Sequence, residues 1–178
     1  PEEYLSLCES IISDTVPESF TMSSSSNKEI DFKTRFFNNR KLLIKNNSTL
    51  WKQLVFPYRG LIQIINRLSE KYPILISSTR DSVSIKHFVE NFGLNILPED
   101  IWGNEVGKNK ASHMRLIKGK FNIKYSDIFF IDDNVNHLIP LEKLGIRCFL
   151  SAWGYFHPDK RPSNITNLSL HDFIEGAK

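Results

Sequence analysis

The sequence has few cysteines, no long apolar run and no strong excess of charge of either sign. Only Cys8 and Cys148 occur among 178 residues, which excludes a disulfide scaffold, and we expect a reduced, cytoplasmic location. No apolar run approaches the roughly 20 residues that cross a bilayer, so we expect no membrane partner. The net charge is +3, too small a basic excess to predict a nucleic-acid partner.

What the chain does contain is typical of a folded protein. Hydrophobic residues make up 40% of it and charged residues 24%, and 13 of the residues are Phe. This composition supplies enough apolar bulk for a core and excludes a disordered chain. The length fits one domain with a small additional subdomain.

The first third of the chain predicts helices. PEEYLSLCESII has helical apolar spacing and acids in its first turn, and SFTMSSSSNKE reads as a polar loop. IDFKTRFFNNRKLLI and STLWKQLV predict two more helices, the second capped by Ser48 or Thr49. We interpret residues 1–54 as a helical cap subdomain.

After Pro57 the chain alternates between helices and short apolar strands. The predicted strands are PILISS, IWG, DIFFID and IRCFLSA; the predicted helices are RGLIQIINRLSEKY, DSVSIKHFVENFG, NKASHMRLIKGKF and NHLIPLEKLG. The second of these helices should be capped by Asp81 or Ser82 and end at Gly93. Strands that are apolar throughout and alternate with helices predict an α/β domain with a parallel sheet covered on both faces, here over residues 55–178. Ligands of such sheets bind beyond the carboxyl ends of the strands.

Polar side chains stand where three of these elements begin or end. Ser77 and Ser78 close PILISS, Lys110 opens the NKASHM helix, and Asp132 and Asp133 close DIFFID. Each residue alone has an ordinary explanation as a turn residue, a surface charge or a helix cap. Their combination at one sheet edge is more specific.

Phosphate chemistry explains why these residue types would occur together. Two adjacent carboxylates stay ionised if they share a divalent cation, and oxygen ligands with open water positions suit Mg²⁺. A hydroxyl and an ammonium group then hold the other phosphoryl oxygens. The sequence therefore predicts a magnesium and phosphate site. A response-regulator receiver uses similar groups in a different chain order, and we reject that interpretation.

The three motifs resemble those of the haloacid dehalogenase (HAD) superfamily of phosphohydrolases. ILISSTR resembles its hydroxyl motif, the region of Lys110 its lysine motif, and FFIDDN its acidic motif, within residues 56–154. The segment GIRCFLSAWGYFHPDK resembles the phosphoglycolate-phosphatase-like branch. The resemblance implies a HAD-like Rossmannoid core and a Mg²⁺-dependent phosphomonoesterase that acts on a small phosphorylated metabolite or a phosphorylated protein side chain.

The resemblance also assigns roles to single residues. It implies that Asp133 is the direct metal ligand and Asp132 its acidic neighbour, and that Lys110 is the catalytic lysine, with Lys108 as second choice. For the hydroxyl, Ser77 and Ser78 both match, with Ser77 preferred. In addition, His137 stands where many family members carry another aspartate, so that it either supports the metal or faces solvent.

One expected motif does not occur. The family's nucleophile is the first aspartate of a D-x-D motif after the first strand, and the chain contains no D-x-D. Asp14 follows a predicted helix and Asp31 a polar loop, so neither fits. We expect the first strand, which lies between PILISS and DIFFID in this family, to come from upstream residues, from another chain or from a local rearrangement. A binding or scaffold module without catalytic activity is the alternative function.

Overall fold

The computed structural model describes residues 26–107, 109–154 and 164–176. The chain forms two compact units, Pro1–Asn38 and Asn39–Lys178. The described helices are α1 (Ser26–Asn46), α2 (Ser48–Leu54), α3 (Leu61–Ser69), α4 (Ser82–Phe92), α5 (Lys110–Phe121), α6 (Val135–Glu142) and α7 (Leu170–Gly176). The strands are β1 (Ile76–Ser77), β2 (Ile101–Trp102), β3 (Phe129–Asp132), β4 (Arg147–Ser151) and β5 (Thr166–Leu168). None of the described helices is long and apolar enough to cross a membrane.

The strands form two small parallel sheets. One consists of β1 and β2, and the other has the order β3-β4-β5. Short parallel strands that alternate with helices confirm the predicted α/β class and parallel pairing. Among the described strands, β1 and β3 are not hydrogen-bonded to each other.

Among the described strands, β1 pairs only with β2 and β3 only with β4, so one edge of each pairs with no described strand. The Ser78 amide donates to the Trp102 carbonyl (2.8 Å). Because successive residues of a strand point their backbone groups to opposite edges, the Ser77 carbonyl points away from β2. In the other sheet, the Arg147 amide donates to the Ile128 carbonyl (3.0 Å), so the backbone groups of Phe129 point away from β4.

The helix ends follow local capping chemistry. Asp81 caps α4, as predicted, by accepting a hydrogen bond from the Ser84 amide (2.9 Å), and Gly93 ends the helix with φ +66°. The predicted cap of α2 was wrong. Asn47, rather than Ser48 or Thr49, accepts from the Leu50 amide (3.0 Å).

The core of the second unit consists of two apolar clusters. The larger one packs α5 and α6 against β3 and β4, with Leu138, Leu141 and Leu150 fully buried. The smaller one lies between α4 and β2, around Ile85 and Ile101. The larger cluster also includes Trp102 of β2, so it contacts both sheets.

The structure departs from the predictions in four places. The predicted burial of both sheet faces is wrong at β3, where Phe129 is 60% exposed. The strand of PILISS shortens to Ile76–Ser77, and α1 extends into the predicted polar loop. Thr166–Leu168 and Leu170–Gly176 form β5 and α7, which the sequence patterns did not predict. The helix predicted for PEEYLSLCESII lies outside the described residues, and the subdomain boundary at residue 54 stays a prediction.

Candidate functional site

The candidate site is centred on Lys110, the first residue of α5. The helix begins there because the Asn109 side chain accepts a hydrogen bond from the Ser112 amide (2.9 Å) while the Ser112 hydroxyl contacts the Asn109 amide. This cap fixes the first turn and directs the Lys110 side chain inward. Only 6% of Lys110 is exposed, which is rare for an ammonium-bearing side chain and requires compensating partners.

Three groups surround the Lys110 ammonium. It donates to the Ser77 carbonyl, which is the group that points away from β2. It lies 3.7 Å from Asp132 Oδ2 and 5.5 Å from the centre of the Phe130 ring. Burial lowers the pKa of Lys110, and the negative charges of Asp132 and Asp133 oppose that shift. The site therefore brings the lysine motif, the hydroxyl-bearing strand and the acidic pair together, as the sequence predicted.

Asp132 is already engaged on both of its carboxylate oxygens. Oδ1 accepts from the Asn134 amide (2.8 Å), and His137 Nδ1 lies 3.2 Å from Oδ1 and 3.1 Å from Oδ2. His137 therefore contacts Asp132, and its support of a metal ion stays a prediction. Lys110 and His137 together hold the Asp132 side chain in one orientation.

Asp133 lies against the backbone of Gly154, beyond the end of β4. A Cβ atom built on Gly154 would lie 2.4 Å from Asp133 Cβ and 2.7 Å from Asp133 Oδ2. Such distances are far below van der Waals contact, so only glycine allows this approach. Gly154 follows Trp153 in GIRCFLSAWGYFHPDK, the segment that carried part of the family resemblance. Its contact with Asp133 gives this segment a role in positioning the carboxylate.

The two candidate hydroxyls have different partners. Ser77 Oγ lies 2.8 Å from His113 Nδ1, on the side of α5. Ser78 Oγ accepts from the Arg80 amide (3.0 Å). The Ser77 hydroxyl thus contacts a side chain, whereas the contact given for the Ser78 hydroxyl within the described part of the chain is one in which its oxygen accepts.

His113 is a residue that the sequence reasoning missed. It is only 1% exposed. It follows Lys110 by three positions and therefore lies on the same face of α5. Burial, followed by the nearby Lys110 charge, lowers the pKa of His113, against the opposing effect of the Gly107 backbone. That i, i+3 spacing from Lys110 was the available signal.

Lys108, the second choice for the lysine, is outside the described residues. Trp51 of α2 is buried at 7% exposure, as is typical of a core residue. Arg40 Nη1 lies 3.6 Å from Asp81 Oδ2; this ion pair joins α1 to the start of α4.

A metal would have to rely on few protein ligands here. In the described part of the chain no group of three or more His, Cys, Asp or Glu side chains is arranged to hold a metal ion. Two adjacent carboxylates still fit Mg²⁺, which is commonly bound by one or two carboxylates together with water and phosphate oxygens. Asp132 contacts Lys110 and His137, and Asp133, which the family resemblance implies as the direct metal ligand, lies against Gly154.

Comparison with known proteins found no matching family model and no matching curated protein. The resemblance to the HAD superfamily therefore rests on the three motifs and on the positions of their residues.

Proposed function

We propose that this chain carries the phosphate and magnesium site of a HAD-type phosphomonoesterase that acts through an aspartyl-phosphate. The observation that best supports this function is the position of the Lys110 ammonium between the Ser77 carbonyl and the Asp132 carboxylate. A buried ammonium at the carboxyl ends of parallel strands is suited to a phosphoryl oxygen. Asp133 would coordinate Mg²⁺, which would neutralise charge on the phosphoryl group.

Each residue of the site would have a separate role. Lys110 would hold a phosphoryl oxygen and keep Asp132 in place, and the proton of the Ser78 hydroxyl would donate to a second oxygen. Asp132 and His137 would support the site from behind. The geometry favours Ser78 over Ser77 for direct contact, because Ser77 Oγ is already bonded to His113.

The nucleophile is the part of this mechanism that the sequence does not supply in a recognisable motif. The proposed reaction requires an aspartate near Lys110 and Asp133. Asp31 does not fit, since it lies inside α1 rather than after a strand. Among the described strands, β3 has an edge that pairs with no other strand, and the corresponding edge of β1 is contacted by Lys110 at the Ser77 carbonyl. A further strand beside β3 could present such an aspartate.

The absence of D-x-D also favours a second function, in which the chain binds phosphate groups without turnover. The ammonium, the hydroxyl and the acidic pair would be retained for recognition. A phosphorylated metabolite or a phosphorylated side chain remains the proposed ligand in both cases.

Phosphate release and phosphate binding separate these functions. The full-length protein as encoded would be assayed against a panel of phosphomonoesters with and without Mg²⁺, and binding of inorganic phosphate would be followed by calorimetry. Lys110→Ala and Asp133→Asn should abolish both signals, whereas Lys118→Ala, a change on the exposed face of α5, should leave them intact. Binding without hydrolysis would support the second function, and the absence of both would refute the phosphate site.

A further inference from the structure

His113 contacts the candidate site through Ser77 and is itself buried. Its Nδ1 bonds Ser77 Oγ at 2.8 Å, and Lys110, one turn earlier on α5, donates to the carbonyl of the same serine. Two residues of one helix face therefore hold the backbone and the side chain of a single strand residue. Because Ser77 ends β1, the two contacts fix the distance between β1 and the first turn of α5.

The ring of His113 is itself held on the other sides. Trp102 of β2 meets it edge to face, with 6.0 Å between ring centres. The backbone of Gly107 lies so close that an added Cβ would stand 2.9 Å from His113 Cδ2. A side chain held in this way has one orientation, which makes it suitable as a fixed support.

This pairing does not have the features of a nucleophilic serine and its base. Among the described residues, the buried His113 Nε2 has no side-chain hydrogen-bond partner, and the group that acts on the ring from that side is the backbone of Gly107. In a catalytic serine and histidine pair the second nitrogen of the imidazole is normally oriented by a carboxylate. The lack of such a carboxylate among the described residues favours a supporting role for the ring.

From these contacts we propose that His113 is a positioning residue, which sets the place of the Lys110 ammonium by bonding the Ser77 side chain through Nδ1. Its importance for phosphate binding rests on the proposed function. The placement of Lys110 itself does not, and it can be measured without any ligand.

Substitutions of His113 can distinguish the contributions of its two ring nitrogens. In His113→Asn the side-chain amide occupies the place of Nδ1 and retains the bond to Ser77. In His113→Gln the amide occupies the place of Nε2, so that bond is lost, as it also is in His113→Ala. Ile117→Ala is the matched control, because Ile117 is a buried residue of α5 that forms part of the apolar cluster.

Chemical labelling measures the result directly. The folded chain would be treated with limiting acetic anhydride, and acetylation of each lysine would be read by mass spectrometry. We expect Lys110 to be acetylated about tenfold faster in His113→Ala and His113→Gln than in the wild type, as expected for the loss of a hydrogen bond worth about 1.4 kcal/mol. His113→Asn should behave like the wild type, and Ser77→Ala like His113→Ala, with no further increase in the double variant.

Two results would overturn the proposal. One is equal labelling in His113→Asn and His113→Ala, which would show that the Nδ1 contact has no effect. The other is acetylation of Lys110 in Ile117→Ala as fast as in His113→Ala, which would show that α5 is loosened in general. Phosphate affinity, measured in parallel, should fall in the same variants. If the wild type binds no phosphate, the proposed function fails while the labelling still decides the role of His113.

Discussion

The buried ion pair between Lys110 and Asp132 gives the most direct test of the physical reasoning. Replacing Asp132 by Asn keeps the shape of the side chain and an oxygen for the Asn134 amide, but removes the negative charge. Replacing Lys110 by Met removes the positive charge and keeps most of the apolar stem. The two changes should have very different effects on stability.

The distance sets the scale of the interaction. Two unit charges 3.7 Å apart attract by about 4 kcal/mol at an effective dielectric constant of about 20. Much of this attraction is offset by the desolvation of an ammonium that is 6% exposed. The lowered pKa of Lys110 agrees, because burial outweighs its charged partners there.

We therefore expect an asymmetry between the two variants. Asp132→Asn leaves the buried ammonium without its main counter-charge and should lower the free energy of unfolding by about 3 kcal/mol. Lys110→Met leaves Asp132 with His137 and the Asn134 amide but removes the donor to the Ser77 carbonyl, and should lower it by only about 1 kcal/mol. The double variant should regain most of the loss caused by Asp132→Asn.

Urea unfolding followed by circular dichroism measures all three variants at pH 7. Asp127→Asn is a matched control, because Asp127 is an exposed aspartate that caps a short 3-10 turn before β3. If Lys110→Met is as destabilising as Asp132→Asn, and the two losses add in the double variant, the charges are not coupled and the reasoning is wrong.

Three further predictions follow from single contacts. Gly154→Ala should push Asp133 aside, since the added Cβ would lie 2.4 Å from Asp133 Cβ, and should weaken Mg²⁺ binding in a calorimetric titration while leaving the fold intact by circular dichroism. His113 has a lowered pKa, chiefly through burial and the Lys110 charge, so its contribution to stability is complete above the unfolded value near 6.5 and is lost as the pH falls below it; the stability advantage of the wild type over His113→Asn should shrink between about pH 7 and 5. Leu150→Ala opens a cavity at a fully buried position of β4 and should cost about 3 kcal/mol in urea unfolding, against a negligible loss for the exposed Leu144→Ala.

The sequence predicted most of the elements that have strong local signals. The helix α4 has an aspartate at its start and a glycine at its end, and both act in the structure as expected. The strand PILISS was predicted too long, because β2 pairs with only two of its residues. Apolar composition marks a buried strand, but only the partner strand determines how much of it is paired.

The site was predicted where chain order and element ends were informative, and missed where they were not. Lys110, Asp132 and the serines at the end of β1 stand at predicted boundaries, so their approach followed from the topology of a parallel sheet. The contact of His113 with Ser77 joins residues 36 positions apart. The i, i+3 spacing places His113 on the same helix face as Lys110. That spacing does not separate a site histidine from a core residue, because only the packing of α5 against β1 brings His113 and Ser77 together.

The energetics of Lys110 bear on why an ammonium stands at this position at all. A buried lysine costs stability when its desolvation exceeds the gain from its partners, and the lowered pKa has that origin. The pair with Asp132 limits this cost without turning it into a gain, so stability does not account for the residue. The Lys110 ammonium lies near a second carboxylate, Asp133, and near a serine hydroxyl. Such a group is useful for binding an anion together with a metal ion, because the ammonium neutralises charge on the anion while the metal ion neutralises charge on the carboxylates. The cost of burying Lys110 thus supports the proposed binding role, and it is the reason why Lys110→Met should spare the fold while removing the proposed affinity for phosphate.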